Sequence, residues 1–100
     1  MIEVEKLKDA IKNKKQIKIN YRAMGIRTVL PAALYNHPST GKLLIDAFQT
    51  DGYSESREVP GWKMFEVDEI FQLSLTEMFF STIAGYNRLS KRYVNAIAQI

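Results

Sequence analysis

The chain has 100 residues, a length for one domain with a single modest core. Hydrophobic residues make up 46% and charged residues 25%, an ordinary soluble globular balance, and the lack of cysteine excludes disulfides and cysteine-based zinc sites. No apolar run approaches the roughly 20 residues of a membrane span. The opening Met1-Ile2-Glu3-Val4-Glu5-Lys6 lacks signal-peptide order, so a cytoplasmic protein with no membrane partner is expected.

Val4, Leu7 and Ile11 recur at helical spacing with Ala10 beside them, which predicts an amphipathic helix over residues 3–13. Asn13-Lys14-Lys15 ends it. Ile17, Ile19 and Tyr21 then alternate with polar residues, the pattern of a half-buried strand. Ala23-Met24-Gly25 reads as a tight turn into a second strand over 26–35, where Pro31 requires an edge position or a bulge. The run 36–41 is turn chemistry throughout. A third strand is expected over 43–49, a fourth over 62–67 and a short fifth over 71–75, with Asp51 to Gly61 as a broad loop. Met78, Phe79, Phe80 and Ile83 form an apolar segment expected to lie over one end of the sheet. Leu89, Tyr93, Ala96, Ile97 and Ile100 share one face of an expected final helix.

The expected fold is therefore mainly β with flanking helices: one domain over 1–100, with a five-stranded SH3/Sm-like barrel over 15–75, the N-terminal helix, and a C-terminal helical segment over 76–100. An OB-like barrel has the same strand count, but it places a longer, often helical, connection after its third strand. Gly52, Pro60 and Gly61 oppose a helix there.

No motif points to catalysis. Ser39-Thr40-Gly41-Lys42 resembles the end of a phosphate-binding loop, yet Asn36 stands where the first glycine belongs and Leu43 where Ser or Thr should follow the lysine. His37 is the only histidine and sits in a turn, so no His-rich metal site is available. Asp46, Asp51, Asp68 and Glu69 lack calcium-loop spacing and read as turn-solvating groups or partners of nearby lysines and arginines. No enzyme activity, cofactor or metal is expected. The net charge is +3, and six lysines fall within Lys6 to Lys18; such a run is either a solvated helix face or a phosphate-binding patch.

Tyr21, Arg27, Arg57, Trp62 and Lys63 are the candidate binding residues. Each has a structural alternative: tyrosine and tryptophan as core, the cations as surface. Arg27 interrupts an apolar strand, so its guanidinium must reach solvent, a carboxylate or a bound anion. Trp62 beside Lys63 and near Arg57 places an aromatic plane next to cations, a combination that suits an anion or a base.

The ordered set Ile17-x-Ile19-x-Tyr21, Arg27-x-Val29-x-Pro31-x-x-Leu34, Leu43-Leu44-Ile45-Asp46-Ala47-Phe48 and Gly61-Trp62-Lys63-Met64-Phe65-Glu66-Val67-Asp68-Glu69-Ile70 resembles the WYL domain over roughly residues 15–75. The tripeptide that names the family is here Lys42-Leu43-Leu44, and Trp62 lies in a different strand. The resemblance implies an SH3- or Sm-like barrel and a regulatory role in bacterial transcription or in CRISPR and phage defence. It also implies a basic pocket that binds single-stranded DNA or RNA or a nucleotide-like anion. Tyr21 matches the family's pocket tyrosine, Arg27 the arginine opening the second strand, and Arg57 lies near a third pocket position. A stand-alone member without a winged helix is expected. The different-class alternative is a protein-interaction adaptor, a homodimer or a regulatory partner's mate, acting through a barrel edge or the 78–83 segment.

Overall fold

The first element is an amphipathic helix, α1 (Val4–Lys12), whose Leu7, Ala10 and Ile11 are buried as the spacing requires. It is part of a computed structural model that describes residues 2–56 and 58–100. Five strands follow in sequence: β1 (Lys15–Tyr21), β2 (Ile26–Asn36), β3 (Leu43–Gly52), β4 (Gly61–Glu66) and β5 (Ile70–Phe79). A two-residue strand, β6 (Ala98–Gln99), ends the series. All pairings are antiparallel, in the order β4-β3-β2-β1-β5, with β6 added against the far half of β2.

Local rules account for the first half of this sheet. Tyr21-Arg22-Ala23-Met24 closes the β1–β2 hairpin with positive φ at both central residues and a Met24 N–H to Tyr21 carbonyl bond of 3.1 Å. The turn at 36–41 forms as expected, with His37 Nδ1 accepting from the amides of Ser39 and Thr40. Pro31 marks a bulge. Register runs Pro31↔Ala47 and then Ala33↔Asp46, so Ala32 has no opposite number on β3.

The bulge turns β2 over. Before it, Arg27 and Val29 face the same side as Ile17, Ile19 and Tyr21 of β1. Together with Ile45, Ala47, Phe65 and Ile70 these residues enclose the main core against α1. Beyond it, Ala33 and Tyr35 join Leu44 and Tyr93 in a second cluster on the opposite face. The sheet thus has an inner face under α1 and an outer face covered by the C-terminal residues.

Three expectations change on the structure. The half-open five-stranded barrel is present as a mainly β open sheet: β4 and β5 lie at its two ends and are not paired with each other among the described residues. The C-terminal helix does not form. Residues 81–100 run as turns, a short 3-10 turn at Lys91–Tyr93 and β6. The helical spacing there is misleading because Leu89 is 89% exposed, while Tyr93 alone is deeply inserted. Backbone bonds from Ile97 N–H to the Leu34 carbonyl (2.8 Å) and from Ile100 N–H to the Ala32 carbonyl (2.9 Å) draw the tail onto the bulged strand. Third, Met78 and Phe79 extend β5 as exposed edge-strand residues and do not cover an end of the sheet; Ile83 alone of the outlying part of that segment is buried.

No helix among the described residues is long and apolar enough to cross a membrane.

Candidate functional site

The candidate residues divide between the two faces of the sheet. Trp62 and Lys63 are adjacent in β4 and so leave it on opposite sides: Trp62 stands opposite Phe48, and Lys63 opposite core-facing Ala47. The pairing of a tryptophan plane with its neighbouring cation, expected from the sequence, is therefore undone by strand geometry. Lys63 borders the outer cleft described below, while its ammonium donates to Ser56 Oγ at 2.7 Å. Arg57 lies outside the described residues.

On the inner face, Arg27 is the organising group. It is only 6% exposed, and no carboxylate pairs with it among the described residues. Its guanidinium lies 5.2 Å from the Phe65 ring centre, 5.4 Å from Tyr21 and 5.5 Å from Tyr53. One terminal nitrogen donates to Gln49 Oε1 at 3.3 Å, and Nε is buried without a hydrogen-bond partner. Gln49 is itself fully buried and holds the following loop in place through bonds from Nε2 to the carbonyls of Asp51 and Tyr53. Tyr21 packs edge-on to Phe65 and its hydroxyl accepts from the Glu66 amide at 3.0 Å. Tyr21 and Arg27 therefore do come together, as anticipated, with Phe65, Gln49 and Tyr53 as partners that the sequence did not single out. Gly52 makes the approach possible. Its φ is +101°, and a Cβ there would collide with the Ile26 carbonyl and the Arg27 Cα.

On the outer face the organising group is Asp46. Of the two roles the sequence offers it, turn solvation or pairing with a cation, the second holds: it is buried in β3 and pairs with Arg92. Tyr35 donates to Oδ1 at 2.8 Å, and Tyr93 (2.6 Å) and Arg92 (3.1 Å) donate to Oδ2. Burial, reinforced by the bond to Asp46, pushes the Tyr35 hydroxyl up to about 12, and the same causes push Tyr93 further up. Both hydroxyls stay neutral donors over the whole physiological range. Asp46 in turn holds the Arg92 guanidinium protonated above even its ordinary range. A signal for this site was present in the sequence: a carboxylate flanked by Ile45 and Ala47 in an apolar strand must find donors. Its donors come from 11 and about 46 residues away, and no local pattern names them.

Two more rings extend the cluster. Tyr86 stacks on Tyr93 (5.8 Å, 28°) and Trp62 stacks on Tyr86 (6.1 Å, 24°), while Trp62 Nε1 donates to the Ala84 carbonyl at 2.9 Å. Between these rings, Met64 and the turns around Asn87 and Ser90 lies a cleft of about 370 Å³. The cleft does not include Arg27 or Tyr21. Compared with known proteins, the chain matches no family model, no curated protein and no solved structure. Among the described residues no group of three His, Cys, Asp or Glu side chains is placed to hold a metal.

Proposed function

We propose that this chain is a WYL-like regulatory module that binds a phosphate-bearing ligand, either single-stranded nucleic acid or a small nucleotide-like anion, at the Arg27 end of its inner face. The observation that carries this reading is a buried guanidinium that, among the described residues, has no carboxylate against it and no partner for its Nε. A buried charge is costly unless it is paired, and three aromatic rings with one long hydrogen bond offset only part of that cost. An anion delivered by a ligand completes the set. Tyr53 lies against the guanidinium and is itself 38% exposed, so it is the ring a ligand would displace or stack upon. Lys63 would add a second cation, and Arg57 belongs to the same proposal on the strength of the resemblance alone. The strand order β4-β3-β2-β1-β5 behind an N-terminal helix supports an SH3- or Sm-like ancestry for the open sheet. A cytoplasmic, bacterial regulatory setting is part of the same proposal.

The test is fluorescence anisotropy with labelled single-stranded DNA and RNA at two salt concentrations. Binding should weaken steeply with salt and fall by about tenfold or more in Arg27→Met. Salt-independent binding, or equal binding by the variant, would remove Arg27 from the function.

One observation favours a second reading, an adaptor that pairs with another copy of itself. β5 is a ten-residue edge strand without Lys or Pro, and Phe71, Leu75, Met78 and Phe79 are exposed along it. Edge-to-edge pairing predicts a dimer in sedimentation that Leu75→Lys dissociates; a wild-type monomer at high concentration rejects it.

A further inference from the structure

The outer-face cleft is separate from the Arg27 cluster, and its chemistry is specific enough to name a ligand class. Its wall is aromatic, formed by Trp62 and Tyr86. Its floor is Asp46, but both carboxylate oxygens are already engaged by Tyr35, Tyr93 and Arg92. A cationic ligand would have to displace Arg92 to reach it. At the rim the balance is reversed. Arg92 spends one N–H on Asp46 and its side chain is 54% exposed, which leaves most of the guanidinium fork uncommitted. Asn87 Oδ1 accepts from the Leu89 amide, and its Nδ2 makes no hydrogen bond to any described residue. The Ser90 hydroxyl makes no hydrogen bond to any described residue. Rings below and surplus donors above suit a planar ring joined to an oxyanion. The volume of about 370 Å³ falls within the range that small-molecule pockets occupy.

We infer that this cleft is a second binding site, for a nucleoside monophosphate or a close chemical relative: the base lies against Trp62 and Tyr86, and the phosphate meets Arg92, Asn87 and Ser90. Asp46 is a positioning residue here. It anchors one edge of the guanidinium and so presents the other, the arrangement in which an arginine reads a phosphate with two parallel bonds.

Trp62 is the only tryptophan, so its fluorescence reports on this cleft directly. The experiment is a titration of the full chain with AMP and UMP, alongside adenosine, uridine and inorganic phosphate, with calorimetry for stoichiometry. The expected result is saturable quenching of Trp62 by at least one nucleotide, with one site per chain by calorimetry in Arg27→Met, and with the matching nucleoside and free phosphate each weaker by about tenfold or more. Arg92→Lys keeps the charge beside Asp46 but loses the fork, and should weaken nucleotide binding by about fivefold or more. Ser90→Ala, a change at a partly buried turn residue outside the core clusters, should weaken it by roughly two- to threefold. Arg27→Met should leave this binding unchanged, which separates the cleft from the inner-face site. The inference is overturned if no nucleotide quenches saturably, if nucleoside or phosphate alone binds as tightly, or if an aromatic carboxylate such as benzoate outcompetes both nucleotides. It is equally overturned if both Arg92→Lys and Ser90→Ala bind like wild type. Should Arg92→Lys unfold, Ser90→Ala decides.

Discussion

Replacing Asp46 with alanine should be among the most damaging single changes in this chain. The carboxylate accepts from two buried tyrosine hydroxyls at 2.8 and 2.6 Å and from Arg92 at 3.1 Å. Hydrogen bonds to an ionised acceptor are worth about 1.5–3 kcal/mol each, so the two hydroxyls account for roughly 3–6 kcal/mol gross. Arg92 adds little, because its more than half-exposed side chain is screened by water and contributes about 0–1 kcal/mol. Removing the carboxylate also relieves its own desolvation, which brings the expected net loss to about 3–4 kcal/mol, the scale found when one partner of a buried charged set is deleted. Asp46→Asn keeps the shape and one acceptor and should cost about half as much, since neutral bonds are roughly half as strong. Urea unfolding followed by Trp62 fluorescence measures both, and a double-mutant cycle with Tyr93→Phe should return a coupling of about 1–2 kcal/mol. An Asp46→Ala cost below about 1 kcal/mol, or a coupling near zero, would mean that the cluster does not hold the outer face together.

Other consequences are as direct. Tyr35 and Tyr93 bind their protons more tightly folded than unfolded, so their contribution is fully present below pH 10 and is lost as the pH rises through the folded value, about 12 for Tyr35. Urea midpoints should therefore hold steady up to pH 10 and fall above it, and Tyr35→Phe should flatten that fall. Gly52→Ala should destabilise by about 2–3 kcal/mol, combining positive-φ strain with a backbone collision next to Arg27; a neutral result in thermal melts would place the turn differently. Leu89→Ser should change stability by less than about 0.5 kcal/mol, because the side chain is almost wholly in solvent. A loss above about 1.5 kcal/mol would instead favour a packed C-terminal helix.

How much of this was legible in the sequence depends on how far each determinant reaches along the chain. The helix over Val4–Lys12 rests on spacings of a few residues and was readable; the first hairpin was too, although its turn closes at Tyr21–Met24, starting two residues before the expected Ala23-Met24-Gly25. Pro31 called for an edge position or a bulge, and the strand supplies the bulge. The tail was not readable, because Leu89, Tyr93, Ala96 and Ile100 keep helical spacing while the deciding bonds go to Ala32 and Leu34, more than sixty residues away. Local periodicity competed with two distant carbonyls, and the carbonyls won. Arg27 stood out because a charge in an apolar run must be answered somewhere, whereas Asp46 met the same condition and was offered only turn solvation or a nearby cation, not the two tyrosines that hold it. The same rule applied to both, and a carboxylate in a strand is more easily mistaken for a turn residue. Trp62 and Lys63 failed as a pair for a purely geometric reason, the two-residue alternation of a strand.

The way the tail is fastened gives the two faces different lifetimes. Residues 81–100 are held by a two-residue strand, two further backbone bonds, the bonds of Tyr93 and Arg92 to Asp46 and of Trp62 to the Ala84 carbonyl, and the insertion of Tyr93 and Ile83, with Leu89 and Val94 left in water. Such a segment opens at lower free energy than strands locked on both sides. When it lifts, Tyr93, Arg92 and Tyr86 leave together, and the outer cleft ceases to exist while Arg27 and its rings stay assembled on the inner face. Amide hydrogens of Ile97 and Ile100 should then exchange well before those of Ile17 and Val29. A ligand in the cleft would slow that early exchange and leave the late exchange untouched, so the outer face would register its occupant as a clock.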